Sequence, residues 1–280
     1  MNKQIVVGVD GSEGSTAALD WAAVEAGRRN APLLLVHGSR LLEPGSMLGD
    51  EALGRLRQER LQLLEATRDG LLEDLPGLSV ELLLEADDPA RVLVELSREA
   101  LLVVVGTRGA GGFERLLLGS VGLHVATHGH CPVVVVPRGG EGERGERIVL
   151  GVDERHKESE AIGWAFAEAD LRGVPLVALH AVGGFGAPGQ RVGEEMELAE
   201  ALAGRKSEYP DLEVEYRLAE TSAARALVEA SEDAALLVVG ARRRRLGFGM
   251  VLGRVNHTVL HHSACPVVVV SERDEEQAEG

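Results

Sequence analysis

The sequence predicts an α/β fold that occurs twice along the chain. Short apolar segments, such as "QIVVGVD" (4–10), "LLLVH" (33–37) and "LLVVV" (101–105), alternate with segments of helical periodicity. Strands that are apolar along their whole length are typical of a parallel sheet whose two faces are covered by helices. Internal repetition is the second observation, and it places one such domain after another.

The two copies are related by nearly constant offsets. Two pairs of segments lie 143 positions apart, namely 5–26 with 148–169 and 31–39 with 174–182. Two later pairs lie 134 positions apart, namely 101–109 with 235–243 and 131–137 with 265–271. The second copy is therefore nine residues shorter between its second and fourth strands.

A polar, glycine-rich stretch, "RGGEGERGE" (138–146), separates the copies and has the composition of a linker. The charged C-terminal segment is expected to fray. We therefore predict a first domain at 1–138, a linker at 139–146, a second domain at 147–272 and a charged tail at 273–280.

Each element of the first copy follows from a local pattern. After the first strand, Ala17, Trp21 and Val24 lie at helical spacing, and this helix is expected to end near Gly27. A second helix, over roughly 48–75, follows the second strand and stops at "LPG". The third strand is "LSVELLL", and the third helix begins with Asp88 as N-cap and Pro89 in its first turn. A glycine loop and a helix of roughly 117–128 separate the last two strands.

Composition excludes several classes of partner and location. Lys and Arg total 29 against 45 Asp and Glu, which gives a net charge of −16. Such a chain repels nucleic-acid phosphates and anionic membranes, so neither is expected as a partner. The chain has no signal-peptide layout and no apolar run near the about 18 residues of a membrane helix, so we expect a cytoplasmic protein. Cys131 and Cys265 are expected to be small buried residues.

Two motifs invite interpretations that the rest of the sequence disfavours. Four arginines at 242–245 suggest nucleic-acid binding, but without interleaved aromatics in an acidic chain they are more typical of a solvated loop. The pairs His124/His128 and His257/His261 have the spacing of metal ligands on a helix. Because no third ligand is apparent, polar helix positions are the favoured interpretation, and no metal site is predicted.

A glycine-rich loop after the fourth strand raises the question of phosphate binding. Gly106, Gly109 and Gly119-Ser120 have the spacing G-x2-G-x9-G-S, which matches neither the P-loop nor the dinucleotide fingerprint. Glycines allow backbone N–H groups to approach an anion, and Ser120 opens a helix whose N-terminus suits a phosphate. Glycines at a strand-to-helix turn also serve packing, so both interpretations stay open.

This spacing, followed by "CPVVVVP", resembles the nucleotide-binding signature of the universal stress protein family. The segments "VVGVDGS", "LLLVHGS" and "DDPARVLVELS" fit the same pattern. The resemblance covers nearly the whole chain as two tandem copies, with the signature intact only in the first. It implies five-stranded parallel sheets of Rossmann-like topology and ATP at the point where strand order reverses. It also implies pairing through the last strands, as a homodimer or as a pseudo-dimer within one chain.

The resemblance implies a set of cofactor-binding residues in the first copy. Asp10 would lie beside the nucleoside, although it has an alternative role as a helix cap, and it could hold Mg²⁺ on the nucleotide. The complete set is Gly8, Asp10, Gly38, Gly106, Arg108, Gly109, Gly119, Ser120 and Val121.

The second copy departs from the signature. Arg243 stands where Gly109 is, and Arg254 replaces Ser120. The second site therefore either binds nothing or holds a different anion, and we expect it to be impaired or altered. Its candidate residues are Asp153, Ala181, Gly240, Arg243, Gly253 and Arg254.

The resemblance implies an ATP-binding, stress-response regulatory protein that acts on an unidentified protein partner. One alternative is a slow ATPase or adenylate-forming enzyme. Adenylate-forming relatives of this fold carry a Ser-Gly-Gly-x-Asp-Ser loop, which "GVDGSEGS" does not match, and no catalytic constellation is apparent. Another alternative is a dimerisation scaffold without nucleotide, against which the intact first signature argues.

Overall fold

A computed structural model gives the fold in two compact units, Met1–Gly139 and Gly140–Gly280. Each unit is a parallel α/β layer structure, which confirms the predicted fold class. The structure describes residues 3–43, 49–107, 118–138, 145–153, 159–182, 188–241, 244–246 and 249–271.

The first unit contains a five-stranded parallel sheet with the strand order β3-β2-β1-β4-β5. A short 3₁₀ turn at Arg40–Leu42 follows β2. The strands are β1 (Ile5–Gly8), β2 (Leu33–Gly38), β3 (Val80–Glu85), β4 (Leu102–Gly106) and β5 (Val133–Val136). The helices are α1 (Glu13–Arg29), α2 (Asp50–Asp74), α3 (Pro89–Leu96) and α4 (Ser120–His128).

The second unit repeats this topology with the strand order β8-β7-β6-β9-β12. It also has an antiparallel hairpin, β10 (Arg244–Leu246) with β11 (Gly249–Val251), between β9 and the last helix. The sheet strands are β6 (Ile148–Val152), β7 (Leu176–Ala181), β8 (Val214–Ala219), β9 (Leu236–Ala241) and β12 (Val267–Ser271). The α-helices are α5 (Glu160–Arg172), α6 (Pro188–Glu208), α7 (Ala223–Ala230) and α8 (Arg254–His262).

The core is built from the aliphatic strands and from alanines on the helices that cover them. In α1, Ala18, Ala22 and Ala26 are fully buried, and their small side chains let the helix approach the sheet closely. Trp21 of α1 is buried, whereas Trp164, at the equivalent position of α5, is partly exposed. No helix in the described part of the chain combines the length and the apolar composition needed to cross a membrane.

Helix boundaries follow capping residues more than the apolar pattern. The α1 helix runs to Arg29, beyond the end expected at Gly27, because Asn30 adopts the left-handed conformation at φ 49° and its N–H donates to the carbonyls of Ala26 and Gly27. The start of α3 is as predicted, since the Asp88 side chain accepts from the N–H groups of Ala90 and Arg91.

A buried serine at the end of a helix recurs in both units. Ser97, just after α3, accepts a hydrogen bond from the His130 N–H at 2.8 Å. Ser231, the equivalent residue after α7, accepts from the Ala264 N–H at 2.9 Å. In each unit this hydroxyl ties the helix end to the segment that leads into the last strand.

Both cysteines are buried at equivalent positions before the last strand of their unit, as expected. Burial raises the pKa of the Cys131 thiol and of the Cys265 thiol to about 12 in each case. Both thiols therefore stay protonated near neutral pH and are poor nucleophiles.

A buried carboxylate paired with arginine also recurs. Glu25 in α1 is inaccessible to solvent and contacts Arg28 at 2.8 Å and Arg29 at 2.5 Å. Glu168 in α5, its equivalent, contacts Arg172 at 2.5 Å, and the two side chains are 1 % and 2 % exposed. Removing Arg172 takes an ion-pair partner away from the buried Glu168 carboxylate, which is strongly destabilising.

We therefore expect Arg172→Ala to lower the free energy of unfolding of the second unit by about 3–5 kcal/mol. Urea denaturation followed by circular dichroism measures this loss. Arg225→Ala is the matched control, because Arg225 contacts Glu229 at 2.7 Å in an exposed i,i+4 pair on α7. The control should unfold like the native protein. Equal losses in the two variants would contradict the argument.

Candidate functional site

The strand order of the first unit reverses between β1 and β4. From β1 the chain passes to β2 on one side, and β4 lies on the other side, with Ile5 paired to both Leu33 and Leu102. In open parallel sheets, ligands bind beyond the carboxyl ends of the strands at such a reversal. Asp10 follows β1 at this edge, and Gly106 ends β4 there.

Asp10 is held by the turn that starts α1. Its Oδ1 atom accepts hydrogen bonds from the Ser12 N–H at 3.0 Å and from the Ser12 hydroxyl at 2.6 Å. Gly11 has a φ of 80°, which favours glycine in this tight turn. Ser12 in turn caps α1 by accepting from the Ser15 N–H. The cap of α1 is therefore Ser12 and not Asp10, whose half-buried carboxylate is instead held at the carboxyl end of β1 by its two bonds from Ser12.

A buried histidine secures the backbone next to Asp10, and sequence reasoning missed it. His37 Nδ1 lies 2.7 Å from the carbonyl oxygen of Val9. Because a carbonyl only accepts, Nδ1 carries the proton. His180 makes the same bond to Val152 at 2.9 Å in the second unit. The 143-residue repeat, which aligns these histidines, was the signal that could have identified them.

Two of the candidate glycines are explained by close packing. A Cβ atom on Gly106 would lie 2.2 Å from the carbonyl oxygen of Gly14, in the first turn of α1. A Cβ atom on Gly38 would lie 2.8 Å from the Pro89 Cα atom, at the start of α3. At Gly8 the tightest contact would be 3.2 Å, to the flexible Leu93 side chain. The packing interpretation therefore accounts for Gly38 and Gly106 without a ligand.

The start of α4 is positioned at the carboxyl end of β4. The Gly119 N–H donates to the carbonyl of Thr107 at 2.6 Å. This bond holds the residue before α4 next to the residue that follows β4. Gly119 is the N-cap of α4 and supplies no side-chain cap. The N–H groups of the first turn have no acceptor within the helix, and the Ser120 side chain is exposed. Val121 is partly exposed in the same turn.

Arg108 and Gly109, the two candidate residues in the middle of this loop, lie outside the described residues, as does Arg243 in the second unit. The other predicted residues of the first copy come together at one edge of the sheet. Gly8, Asp10, Gly38 and Gly106 lie at the carboxyl ends of β1, β2 and β4, and Gly119, Ser120 and Val121 lie at the start of α4.

The second unit has the same framework with different chemistry. Asp153 follows β6 and is exposed, Ala181 ends β7, and Gly253 is the N-cap of α8. Arg254 is exposed at the first position of α8, where α4 has Ser120. The α5 helix begins at Glu160, equivalent to Ala17, and is therefore one turn shorter than α1 at this edge.

Asn256 is a further difference that sequence reasoning missed. This buried side chain stands where the first unit has Gly122, and its Nδ2 donates to the carbonyl of Gly240 at 2.8 Å. In the first unit, a Cβ atom on Gly122 would lie 3.3 Å from the carbonyl oxygen of Gly106. The second unit thus places an amide side chain beside the end of its fourth strand, where the first unit has a glycine packed closely against its neighbours.

Two pairs of histidines stack on the last helices. The rings of His124 and His128 have centroids 4.2 Å apart, and those of His257 and His261 are 4.4 Å apart. Burial lowers the pKa of His124, with a further lowering from His128 that Asp88 opposes. Burial also lowers the pKa of His261, as do its histidine neighbours.

Comparison with known proteins agrees with this architecture. The model of the universal stress protein family matches residues 1–137 and 145–271. A universal stress protein of Mycolicibacterium smegmatis is 36 % identical over 96 % of this chain and 97 % of its own length. One from Mycobacterium tuberculosis is 34 % identical, again over 96 % of this chain and 97 % of its own length.

A solved universal stress protein from Archaeoglobus fulgidus has the same fold. The comparison of the two structures gives a TM-score of 0.70 with 18 % sequence identity. It covers 96 % of this chain and 98 % of the Archaeoglobus fulgidus protein. The two family matches together cover most of the sequence, and the full-length relatives align from end to end. The chain therefore belongs to the universal stress protein family and carries two of its domains in tandem.

Proposed function

We propose that the first unit binds an adenine nucleotide, ATP, at the edge of the sheet where β1 and β4 end. The observation that carries the proposal is the start of α4. The bond between Gly119 and Thr107 holds this helix terminus, which lacks a side-chain cap, at the reversal of strand order. The intact signature motif, with Gly106 and Gly119-Ser120 at this point, supports the same assignment.

The phosphates would bind at the first turn of α4. The N–H groups of Ser120, Val121 and Gly122 have no intrahelical acceptor, and the positive end of the helix dipole favours an anion. The exposed Ser120 hydroxyl adds a donor, and Arg108 and Gly109 would complete this part of the site. A local anion site of this kind is needed in a chain whose net charge is −16.

The nucleoside would bind beside Asp10, with Gly8 and Gly38 nearby. The Asp10 carboxylate is fixed by Ser12, and the His37 bond fixes the preceding carbonyl. A preformed acceptor suits the hydroxyl groups of a ribose, since less side-chain freedom is lost on binding. Mg²⁺ would accompany the nucleotide, and hard oxygen donors such as phosphate, water and a carboxylate are its preferred ligands.

The second unit would not hold ATP in the same way. Arg254 removes the hydroxyl that Ser120 offers, and Asn256 occupies space beside Gly240. The α5 helix also begins one turn later than α1, whose first turn packs on the end of the fourth strand of the first unit. We therefore propose one working nucleotide site per chain, with the second site altered.

In this proposal the protein is a cytoplasmic regulator whose occupied and empty forms offer different surfaces to a protein partner. Such regulation requires ATP to bind one form more tightly than the other. The enzyme alternative is tested by incubating the protein with excess ATP and measuring products by chromatography. A regulator leaves ATP intact over many equivalents, whereas steady release of ADP, or of AMP and pyrophosphate, would assign a slow enzyme.

We predict that Ser120→Ala weakens ATP binding by about 1.5–3 kcal/mol, because a hydrogen bond to a charged phosphate is lost. This corresponds to roughly tenfold to a hundredfold in the dissociation constant. Isothermal titration calorimetry of the full chain measures it. Arg254→Ala changes the equivalent position of the second unit and should leave affinity and stoichiometry unchanged. An unchanged isotherm for Ser120→Ala would refute the assignment of the phosphate site.

We also predict that Gly109→Arg, which copies the second unit, weakens ATP binding at least as much as Ser120→Ala. A long cationic side chain replaces the one residue type that lets the backbone approach an anion without a Cβ atom. Calorimetry with ATP measures the loss, and an unchanged melting temperature would show that the fold survives. Retention of native affinity would mean that this loop position does not contact the nucleotide.

A further inference from the structure

We propose that the first unit has a further ligand site, for a small aromatic amine, at the edge of its sheet opposite to the proposed nucleotide site. A cavity of about 1090 Å³ opens there, where the chain enters the first three strands. Gln4, Pro32 and Ser79, which directly precede β1, β2 and β3, lie on its wall. The volume is close to the upper end of the roughly 300–1,000 Å³ that is typical of small-molecule pockets.

The two units fill this place differently. Ala23 in α1 and Leu75, directly after α2, line the cavity. By the offsets of the repeat, their counterparts in the second unit are Phe166 and Tyr209. Those two aromatic rings lie with their centroids 6.0 Å apart, and Phe166 is fully buried. The small side chains of the first unit therefore leave room where the second unit has a pair of rings.

Backbone hydrogen bonds support the equivalence of Leu75 and Tyr209. The Leu75 N–H donates to the carbonyl of Leu71 at 2.8 Å, at the end of α2. The Tyr209 N–H donates to the carbonyl of Arg205 at 3.2 Å, at the end of α6. Leu71 is therefore the counterpart of Arg205, and the first unit lacks a cation at this position.

That arginine places a cation beside the two rings of the second unit. A Cβ atom on Gly163 would lie 3.2 Å from the Arg205 Nη2 atom, so the guanidinium group covers this glycine of α5. The Nη1 atom of Arg205 also contacts Glu208 at 2.9 Å. The counterparts of these three residues in the first unit are Asp20, Leu71 and Asp74.

The first unit brings carboxylates together at this place without the arginine. Partial burial, and then the Asp74 carboxylate, raise the pKa of Asp20. Asp74 and Glu81 both line the cavity, and in the described part of the chain no ion pair engages either of them. In the second unit the counterpart of Glu81 is Glu215, which contacts Arg217 at 2.7 Å.

Basic residues on the wall of the cavity do not cancel these acids. Lys3 and Arg98 are the bases, and Arg98 is already bonded to Glu95 at 2.9 Å. The acids of the wall are Asp74, Glu81 and Glu99. The wall therefore carries a net negative charge and favours a cationic ligand.

The class of ligand follows from what the second unit supplies from its own chain, which is a pair of rings with a cation beside it. A small molecule with an aromatic ring and a protonated amine offers both groups. The ring would bury apolar surface against Ala23 and Leu75. The amine would donate hydrogen bonds to the carboxylates of Asp20 and Asp74.

The test uses tag-free, full-length protein without nucleotide, so its outcome does not depend on the proposed ATP site. Tryptamine is titrated by calorimetry, and indole-3-propionate, which has the same ring and a negative charge, is the ligand control. We expect saturable binding of tryptamine with a dissociation constant below about 1 mM. Indole-3-propionate should bind at least roughly tenfold more weakly, because its carboxylate meets an acidic wall.

Substitutions that copy the second unit should close the cavity. Ala23→Phe should weaken tryptamine binding by roughly tenfold or more, because the new ring takes the place of the ligand. Val24→Phe is the matched control, since it adds the same ring at the next position of α1, which is 55 % exposed and does not line the cavity. Leu75→Tyr, at a residue that is 39 % exposed, fills the cavity from its other side. Circular dichroism melting identifies which variants are folded.

Four results would overturn the proposal. One is the absence of saturable binding to the native protein at millimolar tryptamine. Another is native affinity in a folded Ala23→Phe variant or, where that variant does not fold, in Leu75→Tyr. The third is an equal loss of affinity in Val24→Phe. The fourth is binding of indole-3-propionate as tight as that of tryptamine.

Discussion

The close approach of β4 to the first turn of α1 is the constraint on which the site depends. At Gly106 a Cβ atom would lie 2.2 Å from the carbonyl oxygen of Gly14, so only glycine permits this packing. The packing requires α1 to begin immediately after β1, which the Gly11 turn and the Ser12 cap ensure. It brings the ends of β1 and β4 together with the start of α4, and the proposed nucleotide site is the space that they border.

The two copies keep the same scaffold and differ at this edge. His37 and His180, Ser97 and Ser231, and the buried glutamates of α1 and α5 make equivalent bonds in both units. By contrast, Asn256 replaces Gly122, Arg254 replaces Ser120, and α5 starts one turn late. Differences at the site within a retained scaffold support separate roles for the two units, with the nucleotide in the first.

Sequence patterns predicted the fold well. A strand that is buried on both faces is apolar along its whole length, and the repeat can be seen directly in the sequence. The cap at Asp88 and the long second helix were also predictable from local signals. The end of α1 was not, since a left-handed Asn30 replaced the expected glycine stop. The packing roles of Gly38 and Gly106, the His37 bond and the Asn256 amide all depend on residues distant in sequence. Only the assembled fold brings those partners together.

The proposed function requires each chain to hold one adenine nucleotide, in the first unit. The most direct measurement is to denature freshly purified protein, identify any released small molecule by mass spectrometry and determine its amount per chain, with Ser120→Ala purified in parallel. We expect about one ATP per native chain and a much lower occupancy in the variant. Two nucleotides per chain, or none together with no heat on titration of ATP, would contradict it.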